Sequence, residues 1–285
     1  MTRTPAKRRS SGLQAGAAVK TRAARTGRTD VGRGASNKIA VLDRATALLV
    51  ALSQFTRPAT LNEVAQKAGL SKATAFRILS TLAEPGFVEQ DAATSSYRLG
   101  IAPMHMAMAV LDGIGVHGKA RPVMRAITEM LNETVVLSVQ DGDYRVNVDA
   151  VECTNAISSS RRIGEPRPLH SGAASRVLMA ALSDAGIEGY LKRHRMTGKG
   201  ETGPAYLDNL WKDIRKARRT GLVSMPADFS PESLAVATIV YDPAGAPVAA
   251  LHVAIPRGRF SARVEARCGQ ALLRAAAEIT RALKS

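Results

Sequence analysis

Two groups of residues in this 285-residue sequence are of a type and spacing that could do chemistry. The first lies at Ser71 to Arg77, SKATAFR. Here Ser71, Lys72, Thr74 and Arg77 put hydrogen-bonding and cationic side chains within two turns of a helix start. A helix carrying such residues at its N-terminal end suits the major groove of DNA, where they would meet base edges and phosphates. The second is Leu169-His170-Ser171-Gly172-Ala173-Ala174-Ser175. Gly164, Pro166 and Pro168 mark a loop before it, and Ser171 or a neighbour caps the helix that follows. Gly172, Ala173 and Ala174 place no acid in the first turn. Free N–H groups and the helix dipole favour negative charge there, and small residues let a ligand approach the backbone. The chemistry implied is capture of a carboxylate. The same small residues also suit close packing of a helix on a sheet, and their spacing does not choose between the two.

A His beside a Ser invites a hydrolase reading, but no G-x-S-x-G elbow surrounds Ser171 and no acid is placed to orient His170. His105, His117, His194 and His252 show no metal-ligand spacing, so neither a metal nor another cofactor is expected. Cys153 and Cys268 are far apart and outside any CxxC pattern, which suits core positions in a reducing cytoplasm. No apolar run approaches the length of a membrane span. These features argue against an enzyme.

The charge balance points to a polyanion. Formal net charge is +16, and residues 1–36 carry nine Lys and Arg against one acid, Asp30. That stretch is Gly, Ala, Ser, Thr and Arg with almost nothing to bury, so it is expected to be a disordered basic tail. It is either an arm adding phosphate contacts or a dispensable extension. If it is an arm, deleting it should weaken DNA binding and flatten the salt dependence.

The elements that must position the first group are legible around it. Ile39, Leu42, Ala45, Leu48, Leu49 and Leu52 form an apolar stripe over a helix at 38–55, with Arg44 off the stripe, either reaching a phosphate or simply solvated. In Thr60–Leu82, Thr60 and Glu63 form a capping box, Leu61, Val64 and Ala65 face inward, and Gly69 stops the helix. Ser71 caps a second helix that sends Ala75, Ile78, Leu79 and Leu82 inward. Alone this is either a helix-turn-helix or an ordinary helix pair. Phe87–Glu89 and Tyr97–Leu99 then read as two strands around a polar turn, which makes the whole a winged helix. Arg98 or that turn would touch the DNA backbone or minor groove.

Beyond Gly100 the pattern mixes helices and antiparallel hairpins. Residues 101–131 read as helical with a break at Gly113-Ile114-Gly115. Strands are expected at 134–139 and 144–153, and again at 234–241 and 247–255. Helices are expected at 172–182, 184–193, 206–219 and 261–283, the last with Val264, Cys268, Leu272, Ala276 and Ile279 along one face. The fold class is therefore α+β.

The stretches VLDRATALLVAL, LNEVAQKAGLSKATAFRILSTLAEPGFVEQD and YRLG together resemble the N-terminal domain of IclR-family bacterial transcriptional regulators. GEPRPLHSGAASRVLMA resembles that family's effector-domain signature, and the stretch from Arg218 to Phe260 its far pocket wall. Two departures stand out: Ser175-Arg176 replaces a Gly-Lys pair, and His252-Val253-Ala254 replaces Ser-x-Ser. The resemblance implies a winged helix-turn-helix domain at 37–100, a linker helix at 101–114 and a GAF-like effector-binding and oligomerising domain at 115–285. It implies a one-component cytoplasmic, nucleoid-associated regulator, a homodimer or homotetramer on double-stranded operator DNA. The implied effector is a small organic acid, aromatic or keto, of a catabolic pathway. It carries over Asp228, Leu234, Ala235, His252 and Ala254 as pocket-wall positions beside Gly172 and Ala173. Arg161 and Arg162 either pair an acidic effector or, as most arginines do, simply form an exposed surface pair. The other reading from sequence is a non-specific nucleoid-type DNA-binding protein whose second domain only oligomerises.

Overall fold

The computed structural model describes residues 39–154, 163–196, 203–227 and 230–284. Residues 1–36, Arg161, Arg162 and Asp228 lie outside that set.

The first core is built by α1 (Ala40–Ser53), α2 (Leu61–Ala68) and α3 (Lys72–Ala83), followed by strands β1 (Val88–Gln90) and β2 (Tyr97–Leu99). Leu48, Ala51 and Leu52 of α1 meet Val64 and Ala65 of α2 and Ala75, Ile78 and Leu79 of α3. Val88 and Tyr97 close the cluster from the hairpin, whose antiparallel register pairs Glu89 with Arg98. The stripe expected along α1 is only half used. Ile39 and Leu42 are exposed, because α2 and α3 reach only the C-terminal half of that helix.

Next comes α4 (Ala102–Gly113), which buries none of its residues and leaves Met104, Met106, Met108 and Val110 exposed. The Gly113–Gly115 break separates it from α5 (Val116–Leu131).

The larger unit is one antiparallel six-stranded sheet, ordered β5-β4-β3-β8-β7-β6. Its strands are β3 (Val135–Asp141), β4 (Tyr144–Val151), β5 (Pro166–Pro168), β6 (Leu222–Ala227), β7 (Ser230–Tyr241) and β8 (Pro247–Pro256). Strand alternation sorts side chains into two layers. Val135, Leu137, Val236, Val240, Leu251 and Val253 pack against α5 and α9 (Ala262–Ala282). Ala235, Ala237, Ile239 and Ala250 pack the opposite way, against α6 (Ala173–Ala180), α7 (Asp184–Arg193) and α8 (Pro204–Thr220). The stripe of α9 is buried at Cys268, Leu272, Ala276 and Ile279, with Val264 at its half-buried end. The segment expected to be a loop at Pro166 and Pro168 is instead β5, a three-residue strand paired with β4. It lies at the sheet edge, where proline's missing N–H is tolerated.

Candidate functional site

In the helical unit of α1 to α3, local hydrogen bonds fix the ends of α2 and the start of α3. Thr60 accepts from the Glu63 amide at 3.4 Å, and Glu63 accepts from the Thr60 amide at 2.8 Å, completing the capping box of α2. Arg57 holds the other Glu63 oxygen at 2.6 Å, and this bond with those from Thr60 keeps the carboxyl down at about 2. Gly69 takes φ +69°, the left-handed value that ends α2. The Leu70 amide then bonds back to the Ala65 carbonyl at 2.9 Å.

Ser71 is the N-cap of α3, accepting from the Thr74 amide at 3.3 Å and donating its own hydroxyl to Thr74 at 2.9 Å. Ser71 and Thr74 thus bind each other as well as the helix end. Lys72 and Arg77 project from the exposed face of α3, together with Ala73, Phe76 and Ser80. Arg44 is exposed on α1. Arg98 is exposed on β2 but donates to Glu89 across the hairpin at 2.8 Å. The turn between the strands adds no cation of its own, and Asp91 there accepts from Thr94 and Ala93 amides.

The second group lies where α6 meets the sheet. Gly172 is the N-cap of α6 with φ +80° and ψ 164°, a combination that is essentially glycine-only. It has no side chain to cap the helix, and Ala173 and Ala174 follow it, both buried. The sheet face below is paved with small residues. In register, Ala254 lies opposite Ala235, and His252 lies between Val136 of β3 and Ala237 of β7. Ala235, His252 and Ala254 therefore share the α6-facing side. Leu234 does not: it is adjacent to Ala235 on one strand, so the pleat sends it to the opposite face. Leu234 and Ala235 cannot line one wall.

A polar cluster that sequence reasoning missed runs beside the first turn of α6. Arg145 of β4 is buried and donates Nε to Ser175 Oγ at 3.1 Å and Nη1 to Asn147 Oδ1 at 2.8 Å. Ser138 of β3 donates to the same Asn147 oxygen at 2.9 Å. The only signal for it is an Arg inside a strand pattern, together with Ser175 in the signature. The hydroxyl of Ser175 on α6 and the amide oxygen of Asn147, two residues further along the same strand, supply acceptors that a buried guanidinium needs.

His170 stands just before this turn. Its Nδ1 lies 2.6 Å from the Tyr190 hydroxyl, and its carbonyl accepts from Tyr206 at 2.9 Å and from Arg176 at 3.1 Å. Tyr190 stacks on His194, which contacts Asp143 at 3.1 Å. Burial, then the nearby His194 and Arg176 charges, push the His170 ring down to about 4. Above about pH 6.5 the ring is neutral in both folded and unfolded chains, and nothing is lost. Between there and about 4 the unfolded chain takes up a proton that the folded one refuses, so stability falls as pH falls. Allowing for the solvent that still reaches the ring, the loss is about 1–2 kcal/mol. His170→Gln should remove that part of the slope, read as the difference between urea melts of the two proteins at pH 7 and pH 4.5. Parallel slopes would show that His170 does not carry it.

Residues 41–92 match the IclR helix-turn-helix domain and residues 108–281 match the bacterial transcriptional regulator IclR C-terminal domain. Among characterised proteins, the acetate operon repressor of Salmonella typhimurium is 27% identical over 250 residues, 86% of this chain and 90% of that one. The Thermotoga maritima IclR structure superposes with a TM-score of 0.71 at 24% identity, over 86% of this chain and 99% of that one. An IclR homologue from Microbacterium hydrocarbonoxydans, solved in complex with 4-hydroxybenzoate, gives 0.72 at 20% identity, over 86% and 99%.

Proposed function

The chain belongs to the IclR family of bacterial transcriptional regulators, and on that footing we propose how its two ends divide the work. Residues 37–100 bind operator DNA with α3 in the major groove. Arg77 contacts a base edge, Lys72 a phosphate, and Arg44 and Arg98 the backbone on either side. Ser71 and Thr74 hold the first turn of α3 in shape and present their hydroxyls to the groove. Residues 115–285 bind a small organic acid at the start of α6, and the linker at 101–114 couples the two ends. The acid shifts the balance between two arrangements of the DNA-binding domains and so changes operator affinity. The chain acts in the cytoplasm as a homodimer or homotetramer. The exposed methionines of α4, with exposed Ile39 at the N-cap of α1 and Val41 and Leu42 within it, support such association.

The observation that carries the effector reading is the acid-free start of α6, with only Gly172, Ala173 and Ala174 before Ser175, over a sheet face that carries Ala235 and Ala254. Its amides have no intrahelical acceptor, and the Arg145 guanidinium lies alongside. His252 adds the hydrogen-bonding group on the facing strand. An aromatic acid with a carboxylate at one end and an apolar ring matches this division, and 4-hydroxybenzoate is the natural first probe. Thermal melting of the full chain against a panel of aromatic and keto acids tests it. At 100-fold excess over Kd a binding acid should raise stability by about 2.7 kcal/mol. No shift with any acid in the panel would remove the carboxylate site.

A further inference from the structure

We infer that Phe76 reads the C5-methyl group of a thymine in the operator. The inference rests on the proposal that α3 lies in the major groove. The inward face of α3 is complete without this ring: Ala75, Ile78 and Leu79 are buried in the helical core, and Phe76 is not part of that core. Half of Phe76 is exposed, at 50%, on the face it shares with Lys72, Ala73, Arg77 and Ser80. Lys72 sits one turn before it and Ser80 one turn after. From Lys72 to Ser80 the helix carries two cations and no acid. An aromatic ring framed by cations does not suit a second copy of a chain whose net charge is +16. It suits a polyanion that offers an apolar group between phosphates. Among the base edges of the major groove only thymine offers one, its methyl, and contact with Phe is a known way of reading it. Ala73, small and exposed beside the ring, leaves room for the base edge to approach.

The test uses the full chain. A binding site is selected from random-sequence duplexes, and each thymine in it is replaced in turn by deoxyuridine, which removes only the methyl. At one thymine or more, wild type should lose about four-fold in affinity, the equivalent of roughly 0.8 kcal/mol for one buried methyl-sized group. Phe76→Ala should bind the thymine duplex weaker by at least that factor and show no further loss on the deoxyuridine duplex. Because the ring is outside the core, this variant should melt as wild type does. The inference is overturned if no deoxyuridine weakens wild type, if Phe76→Ala keeps the same penalty, or if the selected site holds no thymine. It is also overturned if Phe76→Ala changes only the mass seen by light scattering, which would mark the ring as a contact between copies. Arg77→Ala separates this from the parent reading. If Arg77→Ala loses specific binding while the Phe76 cycle is flat, only the methyl contact fails. If Arg77→Ala leaves specific binding unchanged, the placement of α3 fails.

Discussion

Arg77→Ala is expected to lower affinity for the selected DNA site about 5- to 150-fold, or about 1–3 kcal/mol, with little change on random duplex. The size follows from bidentate pairing of a guanidinium with a base, which reads both atoms of one edge at once. Arg77 is exposed on α3, and no ion pair among the described residues competes for it. Its backbone carbonyl serves only Thr81, so the substitution leaves the helix intact. Lys72→Ala offers the contrast. As a point charge at the helix start it is proposed to meet phosphate, so its loss should weaken specific and random duplexes alike and reduce the salt slope by about one. Gel-shift titrations at several salt concentrations distinguish the two patterns. An equal loss on both duplexes from Arg77→Ala would reduce that residue to a phosphate contact.

Gly172→Ala is expected to act twice. At φ +80° and ψ 164° an alanine is strained by about 1–3 kcal/mol, so the melting temperature should fall by several degrees. The same methyl would stand at the N-cap of α6, where the acid is proposed to meet the backbone, so the ligand-induced rise in melting temperature should vanish. Gly245→Ala serves as the control. Gly245 also takes positive φ, +87°, but in the exposed turn between β7 and β8, with nothing within 4 Å of an added Cβ. That variant should carry a positive-φ strain of its own and keep the full ligand response. If Gly172→Ala keeps it too, α6 is packed closely for structural reasons only.

The features legible in the amino-acid sequence are the local ones. Thr60 with Glu63, Gly69 and Ser71 are capping signals whose partners lie within a few residues, and each makes the bond its spacing implies. The apolar stripe of α9 is equally plain, because one helix face reports one core. Three features depend on distant partners and are not legible. Which half of the α1 stripe is buried depends on where α2 and α3 end. The pleat alone sets Leu234 and Ala235 on opposite faces, but which of the two faces α6 depends on how the helices pack on β7. The Arg145–Asn147–Ser175 cluster joins β4 to α6 across 30 residues, and no periodicity announces a buried guanidinium. Strand β5 is hidden for a related reason, because its prolines read as loop punctuation wherever an edge position is not apparent. The helix pair of α2 and α3 is thus legible in detail, while the proposed ligand face is legible mainly at the glycine and alanines that open α6.

Control of specific DNA binding by an acid stands or falls on one equilibrium titration. The full chain is titrated against its selected duplex and a scrambled duplex, each with and without the acid that shifts its melting. A preference of at least about 10³ for the selected duplex is expected at physiological salt. The acid should change that affinity by at least about five-fold and leave the scrambled duplex unaffected. Equal affinity for the two duplexes, unmoved by any acid, would contradict this and leave a non-specific DNA-binding protein in its place.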